Sequence, residues 1–449
     1  MTDYANAVPR KRFFIEMFTR DIALEDCALD LIDNSIDSLF RTKQIKHSDD
    51  VVSLLQTRKP KSDIPEINLK YDDKAFIIED NCGGIPLSLA KENVFNFGHE
   101  ENHKHSGKLG VYGIGLKRAI FKIGNIFSVS SKTTDDGFKM CQSISEWVKN
   151  DETLDDWKFE IETTTAAKNN YHAGTRIEVK ELYKEVLMRL NDGSFEATLR
   201  NLISTTYALF LEKELRIKVN NKIVEPYSIP LGTSNNVTPS NFKKKYGKVD
   251  VQLLASLAER DSATQEWKAE KAGWYIFCNG RMVVGYDKTG LTGWGAALLP
   301  AWHSKYRGFI GLAFFTADDP LQLPWTTTKR GINRESAIFQ EVRSEMQKVA
   351  RPIVKFLNNM YPSEEPAEME ERKVAESIKT ADLFAVAKKQ TNFEVRINKK
   401  KKKTTTKISY EVNNEDFNKA KKAIGHPEWK SNQVGEHTFN YFMKRECAE

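Results

Sequence analysis

The chain has 449 residues, 40% of them hydrophobic and 29% charged, with a formal charge of +6; this suits a globular protein of two or three domains and permits nucleic-acid binding without requiring it. No stretch approaches the ~20 apolar residues needed to span a bilayer. Nothing reads as a signal peptide either, because Arg10, Lys11 and Arg12 are followed by only a few apolar residues before Glu16. The five cysteines, Cys27, Cys82, Cys141, Cys278 and Cys447, lack metal-ligand spacing and fit reduced thiols in a cytoplasmic protein.

In chain order, residues 1–180 mix one strongly amphipathic helix, β-like runs such as Ala75-Phe76-Ile77-Ile78-Glu79 and Ile126-Phe127-Ser128-Val129-Ser130, and glycine-rich turns, which predicts an α/β sandwich. In the helix, Asp30, Asn34 and Asp37 recur at i, i+4 and i+7 and share one polar stripe, while Ala28, Leu31, Ile32, Ser35 and Leu39 form the apolar side. The helix alone reads first as an ordinary amphipathic surface helix, although such a polar row is also what the wall of a divalent-metal and water site requires. Asp80 follows an apolar strand and opens the turn Asp80-Asn81-Cys82-Gly83-Gly84-Ile85. A polar stretch from Phe95 to Lys108 contains His99, His103 and His105; it reads as a mobile polar segment rather than a metal site, since no fourth ligand is spaced to match. Gly110-Val111-Tyr112-Gly113-Ile114-Gly115-Leu116-Lys117 then lets backbone N–H groups approach an anion, with a helix opening near Leu116. It is neither a P-loop nor a dinucleotide fingerprint, since Leu109 follows Gly107-Lys108 and the glycines run in the wrong order.

Strands reappear over 181–362, including Trp274-Tyr275-Ile276-Phe277-Cys278 and Phe309 to Phe315, ahead of a helical pattern through Phe339, Val342, Met346, Val349, Ile353 and Leu357, predicting a second α/β domain. Residues 363–406 turn charged and end in the lysine run Lys399 to Lys403, the pattern of a linker. The tail 407–449 reads strand, helix, helix, as either a ribbon-helix-helix module that docks on DNA as a dimer or an accessory helical hairpin.

Four segments, Leu29 to Ser35, Asp80 to Ile85, Gly110 to Lys117 and Gly174-Thr175-Arg176-Ile177, together resemble the Bergerat fold of the GHKL ATPases. This superfamily includes type II topoisomerases, ninety-kilodalton heat-shock chaperones, MutL and MORC proteins and sensor histidine kinases; the glycine segment resembles the MORC and MutL branches. The resemblance implies an ATP-binding α/β sandwich followed by an S5-like α/β transducer domain, with ATP and magnesium as cofactors. By this resemblance Asn34 holds the magnesium and Asp30 activates the attacking water. Asp37, Asp80, Gly83, Gly84, Lys108, Gly110, Gly113, Gly115, Leu116, Lys117 and Thr175 bind the nucleotide. Asp80 would accept a hydrogen bond from the adenine amino group, which guanine lacks at that edge, and Thr175 would complete the base pocket through its hydroxyl.

The chain departs from the family twice. Asp30 stands where glutamate is usual and is shorter by one methylene, about 1.5 Å, which bears on hydrolysis rather than on binding. Cys82 stands at the first glycine of Asp-x-Gly-x-Gly, so Gly83 must take over its φ > 0. Cys278-Asn279-Gly280-Arg281-Met282-Val283 resembles a strand and turn of the transducer domain. Leu323-Pro324-Trp325-Thr326-Thr327-Thr328-Lys329-Arg330 resembles the loop whose lysine reaches the γ-phosphate, which makes Lys329 catalytic, although a short match also describes a loop lysine in solvent. The implied activity is ATP hydrolysis by an ATP-dependent homodimer, strapped by Tyr4 to Arg20 and acting on DNA or a DNA-bound effector protein. Within the same class stands a chaperone-like machine; outside it stands a nucleotide-held signalling or structural module that does not turn over.

Overall fold

The computed structural model describes residues 10–42, 64–96, 109–110, 113–150, 153, 156–169, 172–212, 215–261, 263–264, 266–296, 298–360, 374–396, 406 and 408–447. Residues 1–397 form one compact unit and 398–449 another.

The first unit is built on two sheets. The larger takes eight strands, β1 (Glu66–Tyr71), β2 (Ala75–Asp80), β3 (Gly124–Lys132), β4 (Gly137–Ser143), β5 (Glu162–Thr164), β6 (Gly174–Leu182), β7 (Arg216–Val219) and β8 (Lys222–Ile223), in the order β5-β4-β3-β6-β2-β1-β7-β8. Alternation along β3, with Phe127, Val129 and Ser131 buried between half-exposed neighbours, gives one face to a helical layer. That layer holds α1 (Lys11–Thr19), α2 (Leu24–Arg41), α3 (Gly115–Ile123) and α4 (Phe195–Thr206); α2 packs on α3, and α3 on α1, β3 and β6. Lys11 anchors α1, donating to the carbonyls of Trp147 at 2.9 Å and Asp156 at 2.7 Å while lying 4.2 Å from the Trp147 ring centre.

The sheet does not end near residue 180. β7 lies parallel to β1, with Glu66 opposite Arg216 and Leu69 opposite Val219, and β8 pairs with it at the sheet's edge. The division expected at 180/181 therefore cuts the first sheet. Its last strands are short and arrive only after the intervening helices, so no local pattern ties β7 to a strand that precedes it by 150 residues.

After the short strands β9 (Gly232–Thr233) and β10 (Val237–Thr238), the second sheet comprises β11 (Ser240–Tyr246), β12 (Val249–Leu257), β13 (Gly273–Cys278), β14 (Arg281–Asp287) and β15 (Phe309–Thr316), in the order β11-β12-β15-β13-β14. Every residue of β13 and β15 is buried, which accounts for their unbroken apolar runs. The helix α5 (Ala337–Met360) packs on β11, β12 and β15.

Part of the expected linker is packed structure. β16 (Lys379–Thr380) pairs with β9 and β17 (Glu394–Val395) with β10. The Asn241 amide donates to the carbonyls of Val386 at 2.9 Å, Ala387 at 3.0 Å and Lys389 at 2.8 Å. The charge density that suggested a linker hides the sparse apolar residues Val374, Ala375, Ile378, Ala381, Ala387 and Phe393, all buried. In the second unit two helices, Asn414–Ile424 and Ser431–Glu446, follow residues 408–413, which form no strand. Among the described residues the tail is a helical pair.

Candidate nucleotide site

Helix α2 faces two ways. Leu29, Leu31, Ile32, Ile36 and Leu39 are buried in the core, while Asp30, Asn34 and Asp37 line a cleft. The opposite wall is the glycine loop with the start of α3, bringing Gly110, Gly113, Gly115 and Leu116. The cleft is also lined by Asp80 from the end of β2, Thr175 from the start of β6, and Thr327 and Lys329 from the segment between β15 and α5.

At one end of the cleft, Asp80 is held by its own surroundings. Its carboxylate accepts from the Ser35 hydroxyl at 2.6 Å, the Cys82 amide at 2.9 Å and the Thr175 amide at 3.3 Å. Burial pushes its pKa above the ordinary value, an effect that these donors and Arg41 only partly offset. Thr175 meets Asp80 through its backbone, and its hydroxyl pairs with Ser131 at 2.8 Å. Gly83, at φ +102°, takes the left-handed position expected after Cys82, and Gly84 follows at φ +73°. Neither lines the cleft. They let the turn pass close to β3, since a Cβ on Gly84 would lie 2.2 Å from the Lys132 carbonyl oxygen. Arg41 steadies this turn, donating to the Gly84 carbonyl at 2.9 Å and to the Ser38 hydroxyl at 2.6 Å.

Beside the glycine loop, Asp37 accepts from the amides of Leu109 at 2.8 Å and Gly110 at 2.6 Å; it shapes that loop. The first turn of α3 carries no side-chain cap, which leaves its N–H groups to an anion. Gly115 is required by close approach, because a Cβ there would sit 3.2 Å from the Asp30 carboxyl carbon. The Asn34 amide nitrogen is buried and has no hydrogen-bond partner among the described residues. An asparagine left so in the cleft fits a magnesium and phosphate site, its carbonyl oxygen for the cation and its nitrogen for a phosphate oxygen.

One expected binding residue lies elsewhere. Lys117 turns away from the cleft and donates to the carbonyls of Val94 at 2.8 Å and Asn96 at 2.5 Å; burial brings its pKa down to about 7. Lys108, His99, His103 and His105 lie outside the described residues. Among the described residues, no group of three His, Cys, Asp or Glu side chains is placed to hold a metal ion.

Asp30 is buried and gripped by Arg118, whose Nη2 and Nε lie 2.5 Å and 3.2 Å from Oδ2; Lys329 Nζ is 3.9 Å from Oδ1. Behind it, Asp33 receives Lys329 Nζ at 2.7 Å, Tyr207 Oη at 2.7 Å and Arg281 Nε at 3.1 Å. Burial pushes the Asp33 pKa up, and Arg281 and Lys329 overcome that, holding it below the ordinary value. Lys329 therefore belongs to the cleft and is no solvent lysine. Sequence patterns passed over Ser35, Arg41, Arg118, Asp33 and Arg281. The signal available for Asp33 was a carboxylate on the core side of an amphipathic helix, which needs a buried cation.

A helix-lined α/β sandwich with its cleft between a polar helix stripe and a glycine loop is the architecture of a GHKL ATP-binding domain. Residues 22–175 match the family described as histidine kinase-, DNA gyrase B-, and HSP90-like ATPase, and this part of the chain is an ATP-binding domain of that superfamily. Comparison with curated proteins yields no match. Among the described residues no helix is long and apolar enough to cross a membrane.

Proposed function

We propose that the chain is an ATP-hydrolysing switch in which ATP closes two copies into a clamp on DNA or a DNA-bound partner, and hydrolysis reopens them. The observation that carries this reading is Lys329: a residue of the second domain reaches the cleft wall formed by Asp30 and Asn34, so occupancy of the cleft bears on both domains. Asp80 selects adenine, the first turn of α3 and the glycine loop take the phosphates, and Asp30 orients and deprotonates the attacking water. Magnesium beside Asn34 would supply charge neutralisation at the phosphates. Lys329 would distinguish ATP from ADP by one charge-assisted contact. Dimer closure through the N-terminal segment and action on DNA follow from the resemblance to MORC and MutL proteins.

One observation favours a second reading. Asp30 is neutralised by Arg118 and approached by Lys329, as in a module that binds ATP and does not turn over. Steady-state phosphate release with magnesium, with and without long duplex DNA, separates the two when Asp30→Asn and Asn34→Ala are compared with wild type. Turnover that both substitutions abolish and DNA accelerates supports the clamp. Tight ATP binding without turnover supports the nucleotide-held module, and turnover indifferent to DNA points to a protein client.

A further inference from the structure

Lys329 has a seat in the protein before any phosphate is present. Its ammonium lies 2.7 Å from Asp33 Oδ2, while Arg281 Nε and Tyr207 Oη hold Oδ1. Arg281 also donates through Nη1 to the Lys329 carbonyl at 2.5 Å. The lysine backbone is further tied by its own N–H to the Thr326 carbonyl at 2.9 Å and sits at φ +55°, a conformation that a non-glycine residue keeps only when its surroundings impose it. The backbone is thus fixed, and the long side chain is the part free to change partner.

The charges are arranged for such an exchange. Asp30 and Asp33 face Arg118, Lys329 and Arg281, so the cluster carries an excess of one positive charge toward an arriving anion. Asp33 has a second cation and a hydroxyl, and losing Lys329 does not leave a bare buried carboxylate. Asp30, by contrast, lines the cleft and lies only 3.9 Å from the same ammonium, marking the direction in which it can move.

We propose that Asp33 is the resting seat of Lys329, with Arg281 and Tyr207 as its fixed posts, so that the strength of the Asp33–Lys329 bond sets how strongly the protein prefers ATP to ADP. The proposal rests on the ATP-switch reading above. A terminal phosphate competes with Asp33 for one ammonium, whereas a diphosphate does not reach it; weakening the seat therefore favours ATP selectively.

The test is calorimetric titration of the full-length protein with ATP and with ADP, each with magnesium. Asp33→Asn should raise the ratio of ATP to ADP affinity by about tenfold, and Lys329→Met should lower it. Adding Asp33→Asn to Lys329→Met should change the ratio no further, since the shared ammonium is gone. The paired variant Asp33→Asn/Arg281→Gln leaves no uncompensated buried guanidinium and should show the same rise if the single variant does not fold. An unchanged or lower ratio in the folded Asp33 variants, with Lys329→Met still reducing it, overturns the seat and leaves the ATP reading standing. Wild-type protein that binds neither nucleotide overturns both.

Discussion

The Arg118 guanidinium sits 2.5 Å from the Asp30 carboxylate across the cleft wall, with both side chains almost sealed from solvent. The helix whose first turn is proposed to face phosphate thereby also carries the cation that steadies the proposed base. Asp30→Asn should reduce phosphate release at least a hundredfold while leaving ATP affinity within about tenfold, as read by single-turnover kinetics and by titration. Arg118→Ala strands a buried carboxylate and should cost about 3 kcal/mol of stability, measured by denaturant unfolding; an unchanged midpoint would show that the pair is not formed in solution.

If Asp80 reads the base as proposed, nucleotide affinity depends on pH. Its folded pKa is raised above 3.8 by burial, so the folded protein holds that proton at pH values where the unfolded chain has released it. This contribution to stability is full at low pH and is lost as pH rises through the raised value. Base recognition runs the other way, because only the ionised carboxylate is a pure acceptor for the adenine amino group. ATP affinity should therefore fall on acidification through the raised pKa, and Asp80→Asn should flatten that dependence while weakening binding. A wild-type affinity flat from pH 7 down to pH 4 argues against Asp80 as the base reader.

Lys117 separates two roles that its sequence position alone cannot. Its amine binds the Val94 and Asn96 carbonyls, beside the short π-helix Ala90–Val94 on the cleft's other flank. Lys117→Met should lower stability by about 1–3 kcal/mol and shift ATP affinity less than about threefold. A loss of affinity far exceeding that, at unchanged stability, would return the lysine to the phosphates.

Gly174 is where the strands crowd most. A Cβ there would come 1.9 Å from the Asp80 carbonyl oxygen, backbone that cannot step aside without moving the base pocket. Gly174→Ala should destabilise by about 1–3 kcal/mol and weaken ATP binding as well, whereas Gly193→Ala, with open space around it, should do neither. Thermal unfolding with and without ATP reads both effects.

The cleft was legible in the sequence wherever function and local pattern coincide. Asp30 and Asn34 share a helix stripe, Asp80 ends an apolar strand, and glycines mark a loop that an anion can approach. What stayed hidden depends on pairing across the fold. Arg118 and Arg281 become meaningful only when α3 and β14 bring them to acids 88 and 248 residues away. Lys117 was misplaced because a lysine after a glycine loop can turn either way, and its direction is decided by the carbonyls behind it. The division near 180 and the 374–396 part of the expected linker differ from the structure for the same reason: short strands such as β7, β16 and β17 draw their partners from distant segments.

The parallel pairing of β1 with β7 also orders events on the ribosome. Arg216 follows its partner Glu66 by 150 residues, and the segments through Thr175 that line the cleft emerge before that partner does. The growing chain must keep the β1 edge unsatisfied through roughly ten seconds or more of synthesis, with loop closure this long slowing the final zippering. The ATP-binding region is thus translated in full before its own sheet can be completed.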